Sequence, residues 1–362
     1  MARKKTTGLR NLKAVILVGG PGTRLQPLTF IIPKPMVPVL NFPFLEHTLA
    51  HLKQFGIEEV ILAMSYLPDA ISEYFGDGER CGIRLTYCIE KEPMGTAGAV
   101  KNAAAYLDRP FIVLNGDDVF IEMNFHEAFA FHHKRKAKAT IFLTRVENPS
   151  AFGVVETDEN QKVQRFIEKP PPGTVTTNWI NAGGYILEPE VLEYIPTGQH
   201  YMFEKGLFPR LLDAGEPVYG YPYRGYWLDV GTLEKYLSLN IDLLQSKTSS
   251  PLIHDSGRDG IRCGSDVTIH PTAVITAPAI IDRGCRIGKD VRLKGPVVLG
   301  QNCLLEEGAS IENAVLWDNV HIGSNARVNR CIISSNTVIG NQQDVTNYAV
   351  TPSRTVPLSP QR

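Results

Sequence analysis

A glycine-rich stretch near the start of the chain carries residue types that bind phosphate. Residues 13–35 read KAVILVGGPGTRLQPLTFIIPKP. Glycines let backbone N–H groups approach phosphate oxygens, because no Cβ stands in the way. The spacing is neither GxGxxG nor a Walker P-loop, since neither GKS nor GKT follows the loop. Leu17, Gly19, Gly20, Gly22 and Thr23 are the predicted phosphate-binding positions, and the family resemblance given below implies that they bind a nucleotide.

Two basic residues of the same stretch supply the charge that a polyphosphate requires. Arg24 can neutralise phosphate charge, and the family resemblance given below implies a catalytic role for it on the departing phosphates of a nucleotide. Lys34 stands between two prolines, which favours a fixed position reaching the same region over the alternative of a solvated lysine.

Two aspartates near the carboxyl ends of predicted strands are candidate ligands for a magnesium ion. Asp117 lies in the run NGDD and Asp229 in the run YWLDVGT. Ligands of open α/β sheets bind at the carboxyl ends of strands, and Mg²⁺ takes one or two carboxylates plus phosphate oxygens. We therefore predict Mg²⁺ as the cofactor, bound by Asp117 and Asp229. Asp118 is a weaker candidate that caps the next segment, and Asp229 has the alternative role of helix N-cap.

The elements that must position these residues alternate between strands and helices from residue 13 to about 245, which is typical of an α/β fold. Predicted strands are 14–18, 59–64, 84–88, 111–114, 140–145, 181–187, 218–223 and 226–230. Predicted helices are 44–55, 70–75, 96–106 (with Thr96 as N-cap), 125–136 and 232–245, with helical stretches near Val191 and Leu207. Residues 153–169 predict a β-hairpin around a polar turn at 158–160.

The last hundred residues change to a six-residue apolar period, which marks a hexapeptide repeat. Small or β-branched residues recur at steps of six from Val267 to Val315, and Ile or Leu recurs from Ile269 to Ile311. The pattern breaks by one residue near Trp317. It resumes at Val320, Ala326, Ile332 and Val338.

Each group of three hexads completes one turn of a triangular coil. Cys285 and Cys303 are then predicted to stack inside the coil as small buried thiols and not as metal ligands. His270 and His321 are expected at coil surfaces.

Length and composition limit the possible classes of protein. The 362 residues suffice for two domains. Lys and Arg total 37 against 38 for Asp and Glu, so no basic field predicts nucleic acid as a partner. No apolar stretch has membrane-spanning length and no signal-peptide pattern is present, so no membrane partner is expected. The six cysteines form no CxxC pair, which favours a cytoplasmic location.

The motifs together resemble the nucleotide-diphosphate-sugar pyrophosphorylases, or sugar-1-phosphate nucleotidylyltransferases. GGxGTRLxPLT followed by PKP is the signature of that family, and NGD and WLDVG match its two metal-binding motifs. The hexapeptide repeat resembles the left-handed parallel β-helix family. The resemblance implies a Rossmann-like nucleotidyltransferase domain with a mixed sheet, followed by an all-β left-handed parallel β-helix. The predicted segments are a basic tail (1–12), the catalytic domain (13–246), a linker (247–260), the β-helix (261–342) and a C-terminal tail (343–362).

The resemblance also assigns residues to the two substrates. In the family's EKP motif the Lys contacts the phosphate of the sugar phosphate and the Glu a sugar hydroxyl, which implies these roles for Lys169 and Glu168. Gly153 and Asn181 match sugar-contacting positions, although alone they would be interpreted as a turn glycine and a strand-end amide. Base-reading positions in the run EPMGTAG are Glu92, Pro93, Gly95 and Thr96. There the glycines would let the base lie against the backbone, and a helix N-terminus would point at the site.

Within the family, EPMGTAG and the segment 146–170 resemble the guanylyl-transferring branch with a C-terminal β-helix. This implies transfer of a nucleotidyl group from GTP to mannose 1-phosphate, giving GDP-mannose and pyrophosphate by Mg²⁺-assisted in-line attack. Glucose 1-phosphate with dTTP, UTP or ATP is the alternative. The implied partners are these two small molecules and further copies of the chain, joined through the β-helix.

Two other classes of function are less consistent with the sequence. A non-catalytic nucleotide-sugar-sensing subunit would be expected to lose charged motif residues, and all five are present here: Arg24, Lys34, Asp117, Lys169 and Asp229. An acyltransferase, an activity that β-helix domains often carry, would need a catalytic histidine in an acceptor loop, and we find none.

Overall fold

The computed structural model describes residues 12–30, 32–65, 67–252, 257 and 259–359. The chain divides into two units. The first contains Thr48–Trp227 and the chain up to Gly20, and the second contains Pro21–His47 and Leu228–Arg362. The predicted basic tail lies outside the described residues except for Leu12, which is buried. Residues 253–256 and 258 of the predicted linker also lie outside them.

Nine strands form the sheet of the first unit. They are β1 (Lys13–Leu17), β2 (Glu59–Met64), β3 (Arg84–Ile89), β4 (Phe111–Asn115), β5 (Ala139–Arg145), β6 (Gly153–Thr157), β7 (Val163–Glu168), β8 (Trp179–Leu187) and β9 (Val218–Pro222). Their order is β7-β6-β8-β4-β1-β2-β3, with β5 also paired to β8 and β9 to β5. β1 is parallel to β2 and β4, whereas β8 is antiparallel to β4, β5 and β6. The predicted mixed sheet is confirmed, and β6 and β7 form the predicted hairpin.

Six α-helices accompany the strands in the described residues. They are α1 (Phe44–Gln54), α2 (Pro68–Phe75), α3 (Gly95–Asn102), α4 (Phe125–Arg135), α5 (Phe208–Asp213) and α6 (Leu233–Leu244). Short 3₁₀ helices include Thr23–Leu25, Leu28–Phe30, Lys34–Met36, Ala104–Tyr106 and Pro189–Tyr194, and Phe203–Leu207 is a short π-helix. Short strands lie at Pro38–Val39, Phe42–Pro43, Asp118–Phe120 and Trp227–Asp229. Within the described parts of the chain, every helix is too short or too polar to cross a bilayer.

Helix α3 differs from its prediction at both ends. Its N-cap is Met94, so the prediction of Thr96 as N-cap is wrong. The Thr96 hydroxyl instead accepts the N–H of Phe203 at 3.0 Å, because it faces a segment distant in sequence. The helix ends at Asn102, and Ala104–Tyr106 tightens into a 3₁₀ turn.

Residues 261–350 form a parallel β-coil in the second unit. Its strands are Ile261–Cys263, Thr268–Ile269, Val274–Thr276, Ala279–Ile281, Arg286–Ile287, Arg292–Leu299, Leu304–Leu305, Ser310–Leu316, His321–Ile322, Arg327–Asn329, Ile332–Ile333, Val338–Ile339, Asp344–Thr346 and Tyr348–Val350. Each pairs in parallel with a strand of a neighbouring turn. Cys285 and Cys303 stack in register and are fully buried, as predicted, and their thiols donate to backbone carbonyls.

The coil shortens from 18 to 17 residues per turn along the chain. Lys294 meets Glu312, 18 positions on, whereas Asn302 meets Asn319, 17 positions on. The residue is lost at one corner, where Asn313 alone turns the chain, and Arg330 and Asn347 repeat this in the next turns. Each has a positive φ, of 49°, 52° and 65°, which lets one residue turn a corner.

The predicted single break near Trp317 is therefore wrong, because the short corner recurs in every later turn. The first short corner, at Asn313, precedes Val315, so Ala314 takes the interior position that was predicted for Val315. Stepping by six beyond Val320 also misplaces the last two positions of the pattern. Cys331 and Thr337 take the interior positions that were predicted for Ile332 and Val338. Val338 is 64% exposed.

One outer face of the coil is apolar. Its outward row is Ile280, Val298, Val315, Ile332 and Ala349, all at most 5% exposed. Helix α6 packs on the strands Arg292–Leu299 and Ser310–Leu316 of this face. The indole N–H of Trp317 donates to the Tyr236 hydroxyl of α6 at 2.9 Å. Helix α6 and the coil therefore share a core within the second unit.

The end of the chain is more ordered than the predicted tail. Asp344–Thr346 and Tyr348–Val350 complete the last turn of the coil, and Thr355–Pro357 pairs antiparallel with Tyr348–Val350. Val345 and Val350 pack against the coil interior, and burial of their apolar surface stabilises this segment.

Candidate active site

Two predicted motifs begin at the carboxyl ends of neighbouring parallel strands. Leu17, at the end of β1, is in register with Asn115, at the end of β4. The N–H of Gly116 donates to the Leu17 carbonyl at 2.9 Å, and a Cβ on Gly116 would lie 2.5 Å from that oxygen. The first glycines of the loop and the NGDD run therefore start side by side, as ligand sites of α/β sheets do.

The first half of the glycine loop contacts Ser65, a residue that the motifs did not reveal. The Ser65 hydroxyl donates to the Gly19 carbonyl at 2.8 Å, and a Cβ on Gly19 would lie 2.7 Å from that hydroxyl oxygen. Gly20 is exposed, with open space around its Cα. Its backbone is accessible to a phosphate.

The second half of the loop turns at Gly22, which has φ 62°. The Thr29 hydroxyl donates to the Gly22 carbonyl at 2.8 Å. A Cβ on Gly22 would lie 3.1 Å from the Cβ of Lys34, so this lysine starts beside the turn. Thr23 and Arg24 follow on the exposed side.

Within the second unit, Arg24 lies on the WLDVG motif. Its Nη1 atom is 3.6 Å from an Oδ of Asp229, whose side chain is only 14% exposed. Lys235 Nζ lies 3.3 Å from the same oxygen. Gly231 leaves the space that the guanidinium fills, because a Cβ there would lie 2.6–2.9 Å from its atoms. Two motifs from opposite ends of the catalytic segment thus share one charge cluster.

Helix α6 explains why Asp229 is free for that cluster. The N-cap of α6 is Thr232, whose hydroxyl accepts the N–H of Lys235 at 3.3 Å. The alternative role of Asp229 as N-cap is therefore excluded. The side chain of Lys235, in the first turn of α6, donates to Asp229. Sequence reasoning missed Lys235, because it stands outside the quoted motifs.

The two aspartates of NGDD have different surroundings. Asp118 is buried, accepts the Asn115 amide at 3.0 Å and packs against Gly183, whose φ is 79°. Asp117 is half-buried. The Asn115 Oδ1 atom is buried and has no hydrogen-bond partner among the described residues. A hard cation fits this oxygen-rich turn, and Asp118 has a structural role.

No cluster of three or more His, Cys, Asp or Glu side chains suited to a metal occurs in the described residues. Mg²⁺ is compatible with such a site, since it keeps phosphate and water ligands beside one or two carboxylates.

The predicted sugar-phosphate residues lie on the hairpin and the strand next to it. Gly153 of β6 is opposite Glu168 of β7, and a Cβ on Gly153 would lie 3.0 Å from the Glu168 carboxylate. Lys169 has φ 47°, an uncommon conformation for a side-chain-bearing residue, and its N–H donates to the Phe152 carbonyl. Its ammonium is 3.8 Å from Glu168 and largely exposed. Such a backbone outlier is typical of functional positions.

Asn181 of β8 is held from both ends of its amide. Its Oδ1 accepts the N–H of Gly183 at 3.0 Å, and its Nδ2 donates to the Tyr185 hydroxyl at 2.8 Å. Burial raises the pKa of Tyr185 well above its usual value, so this hydroxyl stays protonated. Glu204, which the motifs did not indicate, approaches the Thr96 hydroxyl at 3.5 Å, and burial raises its pKa.

The EPMGTAG run packs against residues 199–202. A Cβ on Gly95 or Gly98 would lie 2.7–2.8 Å from carbonyl oxygens of that segment, which is the physical reason for both glycines. The N–H groups of Ala97 and Gly98 both donate to the Tyr201 carbonyl. These two amides in the first turn of α3 therefore have partners within the protein. Glu92 and Pro93 are exposed.

Comparison with known proteins gives two family models that together cover most of the chain. The model described as "Nucleotidyl transferase" matches residues 13–246, and the "EIF2B subunit epsilon LbH domain" matches residues 258–360. The second match is to a left-handed β-helix, in agreement with the parallel coil.

Individual relatives match between 63% and 95% of the chain. A mannose-1-phosphate guanylyltransferase of Mycobacterium tuberculosis is 38% identical over 83% of this chain and 82% of its own length. A UTP–glucose-1-phosphate uridylyltransferase of Synechocystis is 33% identical over 95% and 94%. Among solved structures, HddC from Yersinia pseudotuberculosis complexed with GMP-PN is similar to this chain, with a TM-score of 0.55 and 30% sequence identity. The match covers 63% of this chain and 98% of the HddC chain.

Proposed function

Because the chain belongs to the nucleotidyl transferase family, we propose that it transfers the guanylyl group of GTP to mannose 1-phosphate. The products are GDP-mannose and pyrophosphate. The observation that carries the proposal is the docking of Arg24 on Asp229 and Gly231, which joins the phosphate loop to the WLDVG motif. The similarity to the M. tuberculosis guanylyltransferase supports the choice of base and sugar.

In the proposed reaction a phosphate oxygen of the sugar phosphate attacks the α-phosphorus of GTP. A new P–O bond forms as the bond between the α-phosphorus and the bridging oxygen breaks, and pyrophosphate leaves with that electron pair. The nucleophile is already an anion, so no general base is required. Positioning of two reactants can lower such a barrier by about 7–11 kcal/mol.

The nucleotide is assigned to the glycine loop and the EPMGTAG run. Leu17, Gly19, Gly20, Gly22 and Thr23 present backbone to its phosphates, and Gly20 has open space for this. Arg24 and Lys34 neutralise the leaving pyrophosphate, since charge develops there in the transition state. Glu92, Pro93, Gly95 and Thr96 border the base.

The sugar phosphate is assigned to the hairpin and β8. Lys169, fixed by its left-handed backbone, pairs with the attacking phosphate, and Glu168, Gly153 and Asn181 contact the sugar. One exposed lysine and several partly buried polar groups lie in this region. This combination suits a ligand with one anionic end and several hydroxyls.

Asp117 and Asp229 are the proposed Mg²⁺ ligands. When bound, Mg²⁺ supplies screening of the phosphate charges that would otherwise repel each other. Asp229 is paired with Arg24 and Lys235 in this conformation, so binding of substrate and metal requires these cations to share or release it.

A second candidate pair is UTP with glucose 1-phosphate. It is favoured by the Synechocystis relative, which is similar along nearly the full length of the chain. A panel of four nucleoside triphosphates with mannose and glucose 1-phosphate, followed by pyrophosphate release, separates the two. We expect the highest kcat/KM for GTP with mannose 1-phosphate. No turnover with that pair, alongside turnover with another, would contradict our choice.

We further propose that the coil mediates homo-oligomer formation and that the chain acts in the cytoplasm, where its six free thiols would stay reduced. Sedimentation of the full chain tests the first point, and a monomer at micromolar concentration would contradict it. Deleting the coil is a poor test, because α6 would lose the apolar face on which it packs.

A further inference from the structure

The chain beyond the last turn of the coil folds back as a hairpin that reaches helix α6. Thr355–Pro357 pairs with Tyr348–Val350, and the N–H of Leu358 donates to the Asn347 carbonyl at 3.0 Å. Leu358 is buried. The Ser359 hydroxyl then lies 3.3 Å from the carboxylate of Glu234, in the first turn of α6.

The tip of this hairpin contacts the segment that carries the phosphate loop. The Arg354 guanidinium lies over the Phe30 ring, 4.9 Å from its centroid. Phe30 is one of the few large apolar residues that remain exposed among the described residues, at 42%. A guanidinium over an aromatic face is attracted by the ring quadrupole.

Phe30 is connected to the loop through its neighbours. Leu28 is buried, and Thr29 holds the Gly22 carbonyl through its hydroxyl. Gly22 in turn directs the chain toward Arg24. Phe30 ends a short segment that begins at Gly22 and whose helical elements are two short 3₁₀ helices. A contact on Phe30 therefore restrains the end of this segment that is farther from Gly22.

The Arg354 side chain is not needed to close its own hairpin. Backbone bonds between Thr351 and Arg354 run in both directions, and the Thr351 hydroxyl bonds to the backbone of Arg354. The guanidinium is therefore available for a contact outside the hairpin.

We propose that Arg354 is a positioning residue that steadies the phosphate loop through Phe30. The loop's role in nucleotide binding rests on the proposed function, but the contact itself does not. The C-terminal hairpin is thus a clasp on the segment that follows Gly22, and its loss should affect nucleotide binding more than sugar-phosphate binding.

The test compares hydrogen exchange in residues 21–37 and steady-state kinetics of the full-length chain. Arg354→Ala should raise amide exchange in this segment and the KM for GTP two- to fivefold. A contact of about 0.5–1 kcal/mol gives that change. The kcat and the KM for mannose 1-phosphate should stay within twofold. Arg354→Lys should restore both readouts, because an ammonium also binds an aromatic face.

Matched variants separate this contact from a general effect on the fold. Arg292→Ala removes an exposed arginine from the coil and should change neither readout. Phe30→Leu should reproduce Arg354→Ala, and the double variant should be no worse than either single one. Unchanged exchange in Arg354→Ala, or additive effects in the double variant, would overturn the proposal. If the wild-type chain makes no nucleotide sugar, the proposed function fails, and the exchange data alone then decide on the clasp.

Discussion

The coil and the nine-stranded sheet bring residues together by opposite rules. In the coil, residues that touch stand one turn apart, as Lys294 and Glu312 do at 18 positions. In the sheet, β8 contacts β4, β5 and β6, and Gly183 packs against Asp118 from a distant part of the chain. A local rule can be read from the period of the sequence, whereas distant pairs appear only once the chain is folded.

This difference predicts where single substitutions are tolerated. Each turn of the coil repeats its neighbour and contacts only the turns next to it. A substitution at one corner should therefore lower the free energy of unfolding by a small, local amount. The polar residues at the strand ends have no duplicates. Substitutions should therefore have their largest effects at the strand ends and their smallest effects at the coil corners.

The largest effect is expected for Asp117→Asn. Losing a proposed metal ligand should lower kcat by about 100- to 1000-fold, in the range known for removing one transition-state contact. The melting temperature should be nearly unchanged, because Asp117 is half-buried. Steady-state kinetics and thermal melting measure both. Asp118→Asn is the matched control and should keep most activity while losing some stability, since Asp118 is buried against Asn115. Equal losses in the two variants would contradict the assignment.

Acidification should destabilise the parts of the chain outside the coil. Burial lowers the pKa values of His47, His51 and His132 from 6.5 to about 4. The unfolded chain therefore binds more protons than the native one between pH 6.5 and 4. The free energy of unfolding is highest above pH 6.5 and falls as the pH drops toward 4, by up to about 3 kcal/mol per histidine.

Urea unfolding at pH 7 and pH 5 measures this dependence. His132→Gln removes one titrating group and should flatten the curve, whereas His270→Gln, at the surface of the coil, should not. Identical pH dependence in wild type and His132→Gln would rule out the histidine as a cause.

A smaller effect is expected for Gly231→Ala. The new Cβ would overlap the guanidinium of Arg24 and push it from Asp229. We expect kcat/KM to fall about tenfold with little loss of stability, because only the far end of a flexible side chain must move. Gly340→Ala is the control within the coil, where the nearest atom to a Cβ is 3.4 Å away. Full activity in Gly231→Ala would show that Arg24 need not dock there.

The smallest effect is expected at a coil corner. Asn325 has φ 57°, so Asn325→Ala should lower the free energy of unfolding by about 1 kcal/mol, whereas Asn325→Gly should be nearly neutral. Urea unfolding of both variants measures the difference, and enzyme activity should not change. A decrease of more than about 3 kcal/mol in the free energy of unfolding of Asn325→Ala would contradict the expectation that a corner substitution has only a small, local effect.

Much of the architecture was predictable because its signals are local. The strands of the sheet, the β6–β7 hairpin and the six-residue period are each encoded within a few neighbouring residues. The predicted break near Trp317 was wrong because the short corners are recognised from pairing between turns and not from neighbouring residues. Asn313 turns the corner alone because its backbone is in the left-handed region, with a positive φ. Only the strand register reveals that later turns repeat this corner.

The prediction of Thr96 as a helix cap was wrong because its hydroxyl has a partner distant in the sequence, the N–H of Phe203. Ser65, Lys235 and Glu204 were missed at the candidate site because none stands inside a motif. The predicted roles of Lys169, Glu168, Gly153 and Asn181 rested on a resemblance, and they stay predictions.

Residue types and spacing were enough to predict a chemistry, with a glycine loop, Arg24 and Lys34 for phosphates and carboxylates at strand ends for a metal. They also predicted the coil, because a six-residue repeat can be recognised without knowing any distant contact. Three features became visible only in the folded chain: Arg24 lies on Asp229 and Gly231, Asp118 is buried whereas Asp117 is half-buried, and Arg354 covers Phe30. The physical reason is that these contacts join segments whose separation along the chain carries no periodic signal.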